Sequence, residues 1–177
     1  MTFRHVVVAT AVLVIAGCSK PAPQPSPPPP VATPAPAPAP PVAAPRYDNW
    51  MDAPATPGDW SYVQGSGGSL AHFGVGNAAP RFSLRCEPSL RRVTVIRHET
   101  QGSAPAVLTI RAEEATRALT AQPAADRMAI GTVLPATDPL LAAMAFSKGR
   151  FAVEAEGLPT LYLPAWPEVT RVIEDCL

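Results

Sequence analysis

The chain has little of what most active sites are built from. Only three histidines and three cysteines occur among 177 residues, and charged residues make up 16%. The formal net charge is zero, with fourteen basic against fourteen acidic residues. That balance argues against nucleic acid as a partner, which normally needs a strongly basic field, and leaves long-range steering of charged substrates without support. No His-x-x-x-His or Cys-x-x-Cys spacing occurs, so neither a metal nor another cofactor is expected. No serine sits in a Gly-x-Ser-x-Gly elbow. The apolar run at residues 6–16 has about half of the roughly 20 residues that a spanning helix needs.

That short run has the setting of an export signal, with Arg4 before it and the small Gly17 and then Cys18 after it. The ending Ile15-Ala16-Gly17-Cys18 resembles the lipobox of bacterial lipoproteins, where cleavage precedes the cysteine once a diacylglycerol thioether has formed on it. The resemblance implies a signal peptide over residues 1–17 and lipidation of Cys18. Each buried acyl methylene contributes about 0.8 kcal/mol, so three chains imply effectively permanent membrane attachment. Ser19 after the cysteine implies sorting to the outer membrane, with the domain facing the periplasm.

Proline is what the chain has in excess. Residues 21–45 hold 13 of its 24 prolines, most of the rest being alanine. Proline removes amide donors and fixes φ, so no core can form there and solvated polyproline II is expected. At about 3.1 Å per residue the segment reaches at most ~80 Å, as a semi-rigid stalk. Residues 18–45 are therefore read as anchor and linker, and residues 46–177 as one folded domain. A proline-rich docking ligand is the competing reading, but only Lys20 and Arg46 bracket the stretch.

If Cys18 carries lipid, Cys86 and Cys176 remain as a pair in an oxidising compartment, and a disulfide is the simplest account. Alternation puts Phe82, Leu84 and Cys86 on one strand face. Val169, Val172, Ile173 and Cys176 fall on one helical stripe, so both thiols point inward.

Short alternating runs separated by turn residues predict strands over 60–64, 69–73, 81–86, 91–97, 106–111 and 128–134. The turn Glu87-Pro88-Ser89-Leu90 makes the third and fourth of these a hairpin. Asp138-Pro139 opens a helix that buries Leu140, Leu141, Met144 and Ala145 and stops at Gly149. A second hairpin is expected over 150–154 and 160–163, then a final helix opened by Trp166-Pro167-Glu168. The fold class is α+β, mainly β: a small antiparallel sheet or barrel with two short helices.

His72 and His98 lie on segments with no visible relation, so packing or surface roles are expected for both. Gly74-Val75-Gly76-Asn77-Ala78-Ala79 fits a dinucleotide pattern only formally, because Pro80 and a strand follow it. Glu113-Glu114 and Glu154 with Glu156 read as a solvated face. Arg81, Arg85 and Arg92 share the outward face of the first hairpin, with Arg91, Arg97 and His98 close by. Like charges on paired strands repel, a cost that an anionic partner relieves. Lipopolysaccharide phosphate, peptidoglycan carboxylate and an acidic protein are the partners of that kind. The plainer reading pairs these arginines with Glu87, Glu99 or Glu113.

The strand Phe82-Ser83-Leu84-Arg85-Cys86 and the ending Leu163-Pro-Ala-Trp-Pro-Glu-Val-Thr-Arg-Val-Ile-Glu-Asp-Cys176 resemble a group of proteobacterial lipoproteins to which no activity is assigned. The order of lipobox, β domain, strand cysteine and C-terminal cysteine is similar, more distantly, to periplasmic lysozyme-inhibitor lipoproteins. Their Ser-Gly-x-x-Tyr segment is not found here. The expectation is a membrane-anchored, non-enzymatic module that binds an envelope component or protein. The alternatives are an inhibitor of a lytic enzyme and a cell-wall-acting enzyme that brings His72 or His98 to an acid or serine.

Overall fold

The computed structural model describes Tyr47, residues 49–99 and residues 104–177. The expected export signal, lipidated Cys18 and proline-rich linker lie outside the described residues. Nine antiparallel strands form one sheet in the order β1-β2-β3-β4-β7-β6-β5-β8-β9. These are β1 (Asp59–Gly65), β2 (Gly68–Gly74), β3 (Phe82–Glu87), β4 (Arg92–His98), β5 (Ala106–Arg111), β6 (Thr116–Pro123), β7 (Ala129–Pro135), β8 (Arg150–Ala155) and β9 (Leu161–Pro164). Two short helices complete the fold, α1 (Pro139–Ala145) and α2 (Pro167–Glu174). The protein is mainly β, as its patterning implies.

The sheet curls as a half-barrel, and a few hydrogen bonds link its first strand to its last. Trp60 on β1 donates its indole N–H to the Pro164 carbonyl of β9, 2.8 Å away. Just before β1, Thr56 exchanges hydrogen bonds with Tyr162 through its backbone N–H and its hydroxyl. Trp60 also meets the rings of Phe73, Phe82 and Phe151 edge-on or tilted, with centroids 5.4 to 6.5 Å apart, so strands from both ends share one core.

Alternation decides what fills the inner face. Leu84, Cys86, Val93, Val95, Leu108 and Ile110 are all buried there. β6 is the strand that the pattern did not announce. Its only buried residue is Ala121, and small side chains carry almost no periodic signal. Pairing with β5 along six residues holds it in place, and it meets β7 only at Gln122 and Pro123.

α1 begins as expected: the Asp138 carboxylate accepts the Leu140 N–H at 2.9 Å, and Pro139 opens the first turn. It ends at Ala145 rather than running to Gly149. There Ser147 donates its hydroxyl to the Arg150 carbonyl and accepts the Glu113 N–H, turning the chain into β8. α2 lies on the inner side of β1 to β3, with Val169, Val172 and Ile173 buried. Cys176 follows the helix in a final turn and forms a disulfide with Cys86, the Cα atoms 5.6 Å apart. On the same side Tyr62 donates to the Asp175 carboxylate, and the Arg171 guanidinium stacks 4.2 Å from the Tyr62 ring centre.

Candidate functional site

The outward face of β1 to β4 carries the chemistry. Register sets it: His72 on β2 stands opposite Ser83 on β3, and Leu70 opposite Arg85. Ser83 in turn faces Ile96 on β4, with His98 one pair of residues further along the same face. The result is a cluster that the sequence did not display. The Ser83 hydroxyl lies 3.0 Å from His72 Nδ1 and 2.8 Å from His98 Nε2, so one oxygen joins two imidazoles from strands that are not neighbours. The expectation that the two histidines are unrelated is corrected by this three-strand register.

The cluster lines a cleft of about 410 Å³ together with Val63, Leu70, Arg85 and Ile96. Its wall is the tip of the β1–β2 hairpin, which approaches β3 closely because Gly68 has no side chain. A Cβ there, already disfavoured by φ of 130°, would stand 2.1 Å from the Cys86 carbonyl oxygen. Burial pushes both imidazoles below their ordinary pKa, and for His98 the charges of His72 and Arg97 add to it against Asp126 and Glu99. Both rings are therefore held neutral near pH 7. A neutral pair suits the single hydroxyl proton of Ser83, which can donate to one ring while the oxygen accepts from the other.

The three expected arginines do share this face, but they are not equivalent. Arg92 grips Glu87 with two guanidinium nitrogens, at 2.9 and 3.3 Å. Arg81 pairs with Glu99 at 3.1 Å. Both match the plainer reading of local pairing. Arg85 is exposed and forms no ion pair among the described residues. Arg97, expected near the same outward face, points inward instead, because strand alternation groups it with Val93 and Val95. It is fully buried and donates to the Arg81, His98 and Pro159 carbonyls and to Glu99. Arg97 is thus a bolt between β4 and the β8–β9 turn.

The other sequence candidates fall away from the cleft. Glu113 pairs with Lys148 and Glu154 with Arg111. Residues 75–80 form the connection between the antiparallel strands β2 and β3, not the opening of a helix. Among the described residues no three His, Cys, Asp or Glu side chains converge as a metal site, and no helix is long and apolar enough to cross a membrane. No carboxylate hydrogen-bonds either imidazole among the described residues, so Ser83, His72 and His98 lack an acidic third member in direct contact. The arrangement can offer hydrogen bonds, one free guanidinium and two titratable rings to a ligand. Comparison with protein-family models, with curated proteins and with solved structures finds no match to this chain.

Proposed function

We propose that the chain is a lipoprotein anchored through Cys18 to the outer membrane, whose β domain is a non-enzymatic module that binds an envelope component in the outer-face cleft. One observation carries the reading. Arg85 alone of the three face arginines has no carboxylate partner among the described residues, and it borders a cleft lined also by the His72 and His98 rings and by apolar walls. Binding sites commonly combine an apolar lining with a few convergent polar groups. The lipobox-like ending and the proline stalk support a domain held tens of ångströms from the lipid, within reach of peptidoglycan or of lipopolysaccharide.

A photo-crosslinking residue at Leu70 in living cells tests this, with products identified by mass spectrometry. The reading expects a discrete envelope adduct from position 70, lost with Arg85→Glu, and none from Val107, which is exposed on β5. No adduct at position 70, or the same products from both positions, overturns it.

A second reading is favoured by the Ser83 to His98 contact, the distance at which a base activates a nucleophile. In a wall-acting hydrolase His98 would take the proton of Ser83, whose attack would require the covering rings to move aside, since Ser83 is buried. Labelling of the intact chain by a fluorophosphonate probe, abolished by Ser83→Ala, is its signature. A chain that stays unlabelled at high probe concentration removes it.

A further inference from the structure

We propose that a second copy of this chain docks on the hollow between α1 and α2, each copy setting its Phe146 ring into the other's hollow and its Lys148 beside the other's Glu174. No group of the outward-face cleft takes part, so the pairing stands or falls apart from the reading of that cleft.

α1 is composed unlike a helix that faces water. From Pro139 through Ala145, and on to Phe146, it carries no polar side chain. Leu140, Leu141 and Met144 fill its buried side, but a surface helix normally bears charged or polar groups on the other. Here that other side presents Ala142 and Phe146. At 76% exposure, Phe146 is the most exposed large apolar side chain among the described residues. Its backbone is fixed: its N–H donates to the Ala142 carbonyl at 3.0 Å, and the next residue, buried Ser147, is bonded to both Glu113 and Arg150. A pre-set aromatic knob of this kind is what interfaces are anchored by, because little freedom is lost when it is covered.

Beside the knob lies a hole. Ala142, Ala145, Ile173 and Leu177 line a mostly apolar hollow of about 300 Å³, with Phe146 itself as one wall, so a second phenyl ring has room there. A knob and a hole on one surface suit a two-fold pair, in which every contact is made twice. Charge fits the same arrangement. Asp138 on the rim is held by Arg117, whereas Glu174 on the rim is exposed and forms no ion pair among the described residues. Lys148 follows Phe146 by two residues. Its ammonium pairs with Glu113 at 2.9 Å, yet its side chain is 84% exposed and can meet a second carboxylate. A Phe146 ring entering the hollow therefore brings a cation to a rim with an unpaired carboxylate, which fixes the register of the pair. A lipid surface fits less well, because its anionic headgroups would meet Glu174. An isolated apolar ligand could fill the hollow but would leave Phe146 in water.

The test uses the full chain in living cells, with two differently tagged copies expressed together. A benzoylphenylalanine at position 146 keeps an aromatic knob, and illumination should give a covalent homodimer whose linkage maps to residues 136–145 or 170–177 of the second copy. The same photoreactive residue at position 107, on β5, should give none. With it at position 177 instead, Phe146→Ala should lower the homodimer at least about tenfold. Lys148→Glu and Glu174→Lys should each lower it about fivefold or more, since each sets like charges together. Expressing one tagged copy with Lys148→Glu and the other with Glu174→Lys restores opposite charges at both contacts of the two-fold pair. The mixed dimer should then return although neither variant pairs with itself. An effect confined to one chain, such as loss of the Lys148 to Glu113 pair, is not restored in that way. Thermal unfolding near the parent's temperature checks that each variant is folded. Monomer alone, adducts only with lipid or with another protein, or a loss that the mixed pair fails to restore overturns the proposal.

Discussion

His72 and His98 sit on strands separated by β3 and are joined through one oxygen, the Ser83 hydroxyl, at 3.0 and 2.8 Å. Ser83 is only 1% exposed although it belongs to the outward face, because the two rings and Ile96 cover it. A buried hydroxyl without partners costs about 1 to 3 kcal/mol, so the pair also stabilises the sheet.

The histidines set an acid limit on that stability. Burial lowers both folded-state pKa values below the ordinary 6.5 of the unfolded chain. The unfolded state then binds more protons in the interval beneath 6.5, so stability is complete above it and falls with pH. Thermal unfolding should occur at lower temperature at pH 5.5 than at pH 7.5, and His98→Gln should remove much of the difference. The ion-paired carboxylates of Glu87, Glu99 and Glu113 have lowered values and lose their contribution only below about pH 4.5, outside this window. An unfolding temperature that is flat from pH 7.5 to 5.5 would contradict the assignment.

Cys86 and Cys176 close a loop with a sequence separation of 90 residues. Removing the bond should lower the unfolding free energy by about 4 to 5 kcal/mol in the chain-entropy model. Cys86→Ser, Cys176→Ser and the double variant should be nearly equal in urea midpoint, since each loses the same cross-link. A double variant twice as destabilised as either single one would show that packing, not the bond, dominates.

Arg97 is fully buried and bonded to three carbonyls and one carboxylate. Arg97→Met keeps much of the volume and removes all four bonds, and should cost about 3 kcal/mol. Arg81→Gln removes the other partner of Glu99, at a partly exposed position, and should cost less than about 1 kcal/mol. Denaturant midpoints at unchanged slope are the measurement, and equal losses in the two variants would refute the distinction.

Asp138 has two tasks, capping Leu140 and holding Arg117 at 2.8 Å from both carboxylate oxygens. Asp138→Ala should cost about 1 to 2 kcal/mol. Asp138→Asn retains the cap and should recover at least half of it in chemical unfolding.

Anchoring is tested by Cys18→Ser, which should be poorly processed and leave the membrane fraction after cell breakage. Normal processing with unchanged membrane fractionation would remove the lipoprotein proposal.

Local pattern made the inner face legible. The runs containing Phe82, Leu84 and Cys86, and Val93 and Val95, have a period of two and large apolar side chains, and those residues are in the core. Asp138-Pro139 announced its helix because a cap and a proline act within one turn. β6 was hidden because its buried position is an alanine. Arg97 was misplaced because charge was weighed above alternation, although the parity of Val93 and Val95 already assigned it inward.

The amino-acid sequence alone determined which large apolar residues face in, where most of the turns fall, that the domain is mainly β, and that Cys86 and Cys176 both point into the core. These follow from side-chain period and backbone chemistry, which act over a few residues. Tertiary structure decided that two histidines and a serine meet, that Arg85 is left unpaired among the described residues while Arg81 and Arg92 are not, and that the first strand is linked to the last. Those outcomes depend on register across several strands and on the bonds of Trp60 and Thr56. No local stretch encodes such relations, because each arises only when distant segments compete for the same partners.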